Sequence, residues 1–423
     1  MRSKLRRIVP VSTLVVLAIA GGAVAAPRAG TIDRTFSVDG RRSVAFPGGA
    51  EGNAVAMQGR KIVVAGDAGF EEAEDLAVVR FDADGKLDRT FGGGDGRFTK
   101  NIFSDADLAH AVAVLPDGKI LVAGQAFDPV AGALRFLVLR LTKDGKLDRT
   151  FGGGDGVVTT PFGPNGASGH AMTVLPDGRF VVCGYAGGTD DEFALARYRP
   201  GGALDPTFGG TGMVTTAFPG TTESRCAGVT RVGNQLVAVG EAYDGVAVTS
   251  FAVARYRANG SLASGFDADG MALFDPTPAF NEATSVVTAD GGAVVVAGTV
   301  TGPVSNDVAL IRILGNGTLD PTFGGGDGVT IYDAGSVDQA DGLLQQPNGK
   351  LVLVGFRNPD MFVARFRAGG AVDTSFAHGG LQARPWPAPS AGSQAVWDHG
   401  AIVVTGTTGL TSILKIAVER LHG

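Results

Sequence analysis

The run Leu147-Asp148-Arg149-Thr150-Phe151-Gly152 returns along the chain with small changes, as Leu87-Asp88-Arg89-Thr90-Phe91-Gly92 and as Leu319-Asp320-Pro321-Thr322-Phe323-Gly324. Its phenylalanine recurs at Phe36, Phe91, Phe151, Phe208, Phe266, Phe323 and Phe376, at intervals of 53 to 60 residues. A period this regular marks a repeat architecture, and the repeating unit has to be read before any local motif.

Between two landmarks lie four strand-like runs. In the third unit these are Gly156 to Thr160, His170 to Leu175, Arg179 to Gly184 and Phe193 to Tyr198. Asp117-Gly118, Asp177-Gly178, Asp290-Gly291 and Asn348-Gly349 are tight-hairpin pairs, because Gly accepts positive φ at no steric cost. The third run is almost wholly apolar, as in Ile62 to Ala65 and Ala293 to Ala297, which suits a strand covered on both faces. Four antiparallel strands per unit at this period predict a β-propeller rather than a stacked solenoid.

The last unit stops at Gly423 before any landmark, while Gly30 to Phe36 opens the chain with a landmark that no preceding strand owns. Docking the front segment beside the final strand closes seven units and leaves no free edge. The expected fold is therefore all-β: a seven-bladed β-propeller with four antiparallel strands per blade, closed by its N-terminal segment. The units fall at about 37–91, 92–151, 152–208, 209–266, 267–323, 324–376 and 377–423 plus 30–36, forming a single domain over 26–423.

Leu-Asp-x-Thr-Phe-Gly, the downstream Pro116-Asp117-Gly118-Lys119-Ile120-Leu121-Val122-Ala123-Gly124 and the pair Arg197-Tyr198 resemble the delta-60 repeat family of bacterial exported or surface proteins. The resemblance spans the chain after its first 25 residues. It implies a propeller-like fold without an assigned activity. The copy at Leu262-Ala263-Ser264-Gly265-Phe266 lacks both Asp and Thr.

Residues 1–25 read as a cleavable signal peptide: Arg2, Lys4, Arg6 and Arg7 precede an apolar stretch from Ile8 to Ala20 and the small-residue site Ala23-Val24-Ala25. A secreted or cell-surface location follows, with no membrane insertion after cleavage. The mature chain then holds 32 basic and 42 acidic residues. Such a balance is a poor match to nucleic acid, whose binding depends on basic patches. A monomer is expected.

An arginine recurs near the end of the last strand-like run of every unit, at Arg80, Arg140, Arg197, Arg255, Arg312, Arg365 and Arg420. The landmark Asp follows it by eight residues in five of them. A structural arginine-carboxylate pair, or arginine bonding to turn carbonyls, is expected in preference to an anion-binding ring. Arg420 would reach Asp33 across the closure, and Arg255 lacks a partner because Ala263 stands in its place. Asp95, Asp155 and Asp327 in the glycine runs offer oxygen to calcium, but one carboxylate per loop is few, and no other cofactor is expected. No Gly-x-Ser-x-Gly, His-Glu-x-x-His or Cys-x-x-Cys occurs. His110 and His170 share a repeat position. Cys183 replaces the small Ala of a Val-Ala-Gly pattern and is expected to be a buried free thiol rather than bridged to Cys226.

Strand parity puts the stereotyped hairpins and the landmarks on one face of the disc and the variable loops on the other. Phe70, Phe127, Tyr185, Tyr243 and Phe356 begin these variable loops, with Asp190 and Asp191 as polar neighbours. They are the candidate ligand contacts, since variable loops on a rigid scaffold commonly carry recognition. Trp386, in Arg384-Pro385-Trp386-Pro387, is expected to form a distinct surface feature. The sequence supports a non-catalytic module binding protein or glycan through this face. The alternative is an extracellular enzyme, a metal-assisted hydrolase or lyase, with carboxylates or histidines gathered at a channel mouth.

Overall fold

A computed structural model of the chain describes residues 27–423 apart from 71–72, 104–105, 188–189, 303, 336, 384 and 411–412. Residues 1–25, read above as a signal peptide, lie outside the described residues. Runs rich in Val, Ile, Leu and Ala form second and third strands that are buried along most of their length, such as Ile120–Asp128 and Ala133–Leu141. Each is sandwiched between neighbouring blades, so neither face needs polar residues.

Seven four-stranded antiparallel sheets form the molecule. Blade two runs Asp107–Val114, Ile120–Asp128, Ala133–Leu141, Val157–Thr160, from the inside outward. The first strands of the seven blades touch one another in a closed cycle around the axis. The landmark therefore lies inside a blade, between its third and outermost strands, and the repeat unit is offset from the sheet by one strand. Among the described residues no helix is long and apolar enough to cross a membrane.

The ring closes through the N-terminal segment. Blade seven takes three strands from the end of the chain, Ser390–Asp398, Ala401–Thr408 and Lys415–His422, and its outermost strand, Arg41–Ala45, from the front. Arg41 pairs with Glu419 and Ala45 with Lys415. The orphan landmark docks just before it: Ile32 bridges Leu421, and Gly30 N–H donates to His422 O at 2.6 Å.

The landmark is a clamp. In blade three Asp205 Oδ1 accepts from the N–H of Thr207 at 3.2 Å and its hydroxyl at 2.8 Å, while Oδ2 lies 2.9 Å from Arg197 Nε. Arg197 also donates to Ala258 O of the next blade and sits 4.8 Å over the ring of Phe208, which is wholly buried. The pair recurs as Arg80–Asp88, Arg140–Asp148, Arg312–Asp320, Arg365–Asp373 and, across the closure, Arg420–Asp33. Carboxylate pairing and turn-carbonyl bonding occur together. In blade four Arg255 finds a neutral acceptor, Gln235 Oε1 at 2.7 Å. Gln235 occupies the hairpin position where Lys61, Lys119, Arg179 and Lys350 reach their landmark Asp.

Two expectations need correction. Cys183 and Cys226 form a disulfide, with Cα atoms 6.0 Å apart, joining the second strand of blade three to the first strand of blade four. Cys183 is buried as expected, but the small position it occupies faces the innermost strand of the next blade, where Cys226 stands. Such a bridge contributes about 2–4 kcal/mol by restricting the unfolded chain. Trp386 is not a surface feature. It is 8% exposed, at the junction of blades six and seven, with Arg41 5.1 Å over its ring.

Arg197 and Asp205 are both at least nine-tenths buried. Burial opposes ionisation of Asp205. The hydrogen bonds from Arg179 and Thr207 and the charge of Arg197 outweigh it and hold the carboxyl well below the ordinary range. Asp205→Ala leaves the Arg197 charge unpaired inside the protein and should lower stability by about 3–5 kcal/mol, measured by urea denaturation at neutral pH. Because the folded pKa is depressed, this contribution is present above about pH 4 and is lost as the pH falls. Wild type and variant should therefore converge in acid.

Candidate functional site

Each innermost strand carries one extra residue where its pairing register slips: Asn53, His110, His170, Ala227, Thr284, Asp341 and Ser393. A bulge re-aims a side chain and bends its strand. The Gly of Val-Ala-Gly on the second strand makes room for it. A Cβ at Gly124 would lie 1.9 Å from Leu108 O, and one at Gly184 would lie 1.8 Å from Ser168 O. The repeated Gly is thus required by close backbone approach.

Beside that fixed backbone the residues change from blade to blade. The position after the second-strand Gly holds Asp67, Gln125, Tyr185, Glu241, Thr299, Phe356 and Thr407 in turn. Together with the bulge residues these form a collar around the axis on the side of the variable loops. On one arc the rings of His110 and His170 stack at 4.9 Å with 1° between planes, and Tyr185 lies 5.3 Å from His170. Ser168 Oγ is 2.9 Å from His170 Nε2. Arg225 lies 5.1 Å over the ring of Tyr185 and is held by Asp191 at 2.7 Å and Glu223 at 3.2 Å.

The collar's titration is set by enclosure. Burial pushes the His110 pKa down to about 4 against a hydrogen bond with Gln125. Burial, with the charges of His110 and Arg225, pushes His170 to about 3. Both imidazoles are neutral at pH 7. Burial and the charge of Glu282 raise Asp341 to about 8, and burial with Glu51 and Glu74 raises Asp67 to about 7. Glu51, Glu241 and Glu282 are raised as well, burial being the main cause. Arg225 is paired with Asp191 and Glu223, while elsewhere on the collar carboxyl groups gather, some of which retain their protons.

Of the residues singled out from sequence, Tyr185 and Asp191 meet through Arg225. Asp191 is buried and acts as its anchor, whereas Asp190 is exposed in the loop. Phe356 holds the collar position of blade six and is half-buried. Phe127 and Tyr243 sit two residues further along their strands, half-buried near the rim. Phe70 ends the strand Lys61–Phe70, and its side chain lies outside the described residues. The aromatics therefore occupy different registers rather than one ring. Asp95, Asp155 and Asp327 each accept the backbone N–H two residues on, closing the glycine turns. Arg225, Glu282 and Asp341 were not singled out from the sequence. Aligning the units on the Val-Ala-Gly glycine would have exposed their columns.

The chain carries DUF5122 beta-propeller repeats. The family model, described as a domain of unknown function, beta-propeller, matches residues 60–91, 115–151, 175–208, 234–266, 292–323 and 346–376. Each DUF5122 match ends on a landmark phenylalanine. The seventh copy is split between the two ends of the chain, where a linear match cannot join it. No curated protein matches the sequence significantly. Among solved structures, an ulvan lyase of polysaccharide lyase family PL25 is similar at TM-score 0.56 and 12% identity, over 89% of this chain and 95% of that one. The same kind of lyase bound to a GlcA(1-4)Rha3S chain gives TM-score 0.55 and 12% identity over the same shares. The Myceliophteria thermophila Cps50 (Swd1) propeller gives 0.49 and 11%, over 89% and 98%. At these identities the likeness is one of fold.

Asp341 has a folded pKa raised far above its unfolded value, so its favourable contribution is complete below about pH 4 and is lost as the pH rises toward 8. Asp341→Asn removes that dependence. Its melting temperature should match wild type near pH 4 and exceed it increasingly up to pH 8, and parallel curves would show that Asp341 ionises freely.

Proposed function

We propose that the chain is an exported, non-catalytic binding module of the delta-60 kind, monomeric after signal cleavage, that holds a glycan or protein segment on its variable-loop face with the collar as floor. The observation that carries this is the division of labour between the faces. On the hairpin face nearly every landmark Asp is engaged by the strand arginine, several by a hairpin Lys or Arg as well. Blade-specific side chains gather instead at the collar. Its abundance of carboxyl groups favours a neutral glycan or a cationic peptide and disfavours an anionic polysaccharide or nucleic acid. The test is a glycan array with the mature protein, followed by calorimetry of hits. Arg225→Ala should weaken binding at least about tenfold with unchanged near-ultraviolet circular dichroism. Equal binding by the variant would move the site elsewhere.

One observation favours a second reading, an extracellular hydrolase. Asp341, raised to about 8, keeps its proton at neutral pH next to Glu282, and a protonated carboxyl group beside a second carboxyl group is what acid-base cleavage of a glycoside requires. Under this reading neutral polysaccharides are cut into reducing ends, and Asp341→Asn abolishes the activity while leaving binding intact. A panel of neutral polysaccharides that all remain uncut would exclude it.

A further inference from the structure

The junction of blades five and six carries an acidic cluster outside the collar. Asp307 comes from the third strand of blade five, Asn306–Ile313. Asp333 directly follows that blade's outermost strand, Val329–Tyr332. Asp338 opens the first strand of blade six, Asp338–Gln345. One carboxylate oxygen from each lies within 4.8 Å of the others. Asp338 is 0% exposed and Asp307 5%, while Asp333 reaches solvent.

One buried oxygen of the cluster is left without a donor from the protein. Asp338 Oδ2 accepts from Ala334 N–H at 2.6 Å, but Asp338 Oδ1 is buried without a partner. Asp307 packs closely on the chain of its own loop, where a Cβ at Gly302 would lie 2.1 Å from its Oδ2. A buried carboxylate oxygen without a donor, such as Asp338 Oδ1, is costly unless a cation balances it. Arg357 favours the charged form of Asp338, whereas Asp333 and Asp307 oppose it.

The fold itself does not demand this arrangement. At the junction of blades one and two the same backbone positions hold Asp75, Asn101 and Asp107. There Asp107 Oδ1 is likewise buried without a partner, but its neighbours differ: the Asn101 amide donates to Asp75 Oδ1 at 3.0 Å, and Lys100 opposes the upward shift that burial gives Asp107. At the fifth junction an acceptor, Asp333, replaces the amide donor, and Tyr332 replaces the lysine. At the third the positions are Glu192, Ala217 and Ser224.

We propose that Asp307, Asp333 and Asp338 bind a hard divalent cation, calcium by ligand type, at the rim of the variable face. Three carboxylates from three strands meet in one small space, with water free to complete the shell. The ion would pin the end of blade five to the first strand of blade six. The test is calorimetric titration of the chelator-treated mature chain with calcium chloride, with magnesium chloride as comparison. Wild type should bind one equivalent of calcium and gain melting temperature in millimolar calcium. Asp333→Asn, at the exposed corner where the fold tolerates change, should weaken binding at least about tenfold and abolish the thermal gain. Asp107→Asn at the first junction should behave as wild type. Terbium in place of calcium should show emission sensitised by Tyr332 in wild type and not in Asp333→Asn. No calcium-dependent heat, or calcium binding that survives Asp333→Asn unchanged, would overturn the assignment.

Discussion

Everything in this propeller rests on a buried arginine that has to be held from two sides. Arg197 reaches Asp205 within its own blade and Ala258 O in the next, so one side chain fixes both the turn after the third strand and the angle between blades. The guanidinium has five donors in a rigid fork, so it can serve both acceptors and lie on Phe208 at once. The same blade-to-blade contact is repeated by backbone bonds, Gly92 N–H to Asp144 O, Gly209 N–H to Asn259 O and, across the closure, Ser37 N–H to Asp84 O. Blade four shows what the constraint is: Asp may be lost at position 263, provided Gln235 supplies an acceptor for Arg255.

A scaffold so determined on one face leaves the other free to vary. The bulge and its facing glycine are backbone features, indifferent to what side chain the bulge carries. His110, Asp341 and Ala227 therefore occupy one geometric position with unlike chemistry. Function in such a fold can be altered one blade at a time without disturbing the clamp.

This also explains what the sequence made legible. The landmark spacing is a linear property, so blade number and ring closure could be read from Phe36 to Phe376. The radial frame could not, because a period carries no phase: the run Gly156 to Thr160 looks the same whether it opens a blade or ends one. The assignment of faces survived that ambiguity because strand parity does not depend on where counting starts. The partners in space escaped for a different reason. Cys226 meets Cys183, and Arg225 meets Tyr185, across a blade junction that no local motif encodes. The cluster of Asp307, Asp333 and Asp338 likewise draws on three strands of two blades.

The offset between repeat and sheet has its own physical consequence. Had each repeat been a blade, the ends would meet only as neighbouring sheets, joined by side-chain packing. With the landmark lying inside the blade, the front of the chain must supply both a clamp for Arg420 and a strand for Lys415–His422. Closure is then held by five paired residues as well as by packing. The outer rim is also protected, because the outermost strands have four or five residues, or only two in Leu381–Gln382, too short to template another chain. Among the described residues, Arg80, Arg140, Arg197, Arg255 and Arg420 each donate to a turn carbonyl of the next blade, so opening the ring at one of these junctions breaks a guanidinium bridge that the six remaining junctions cannot replace.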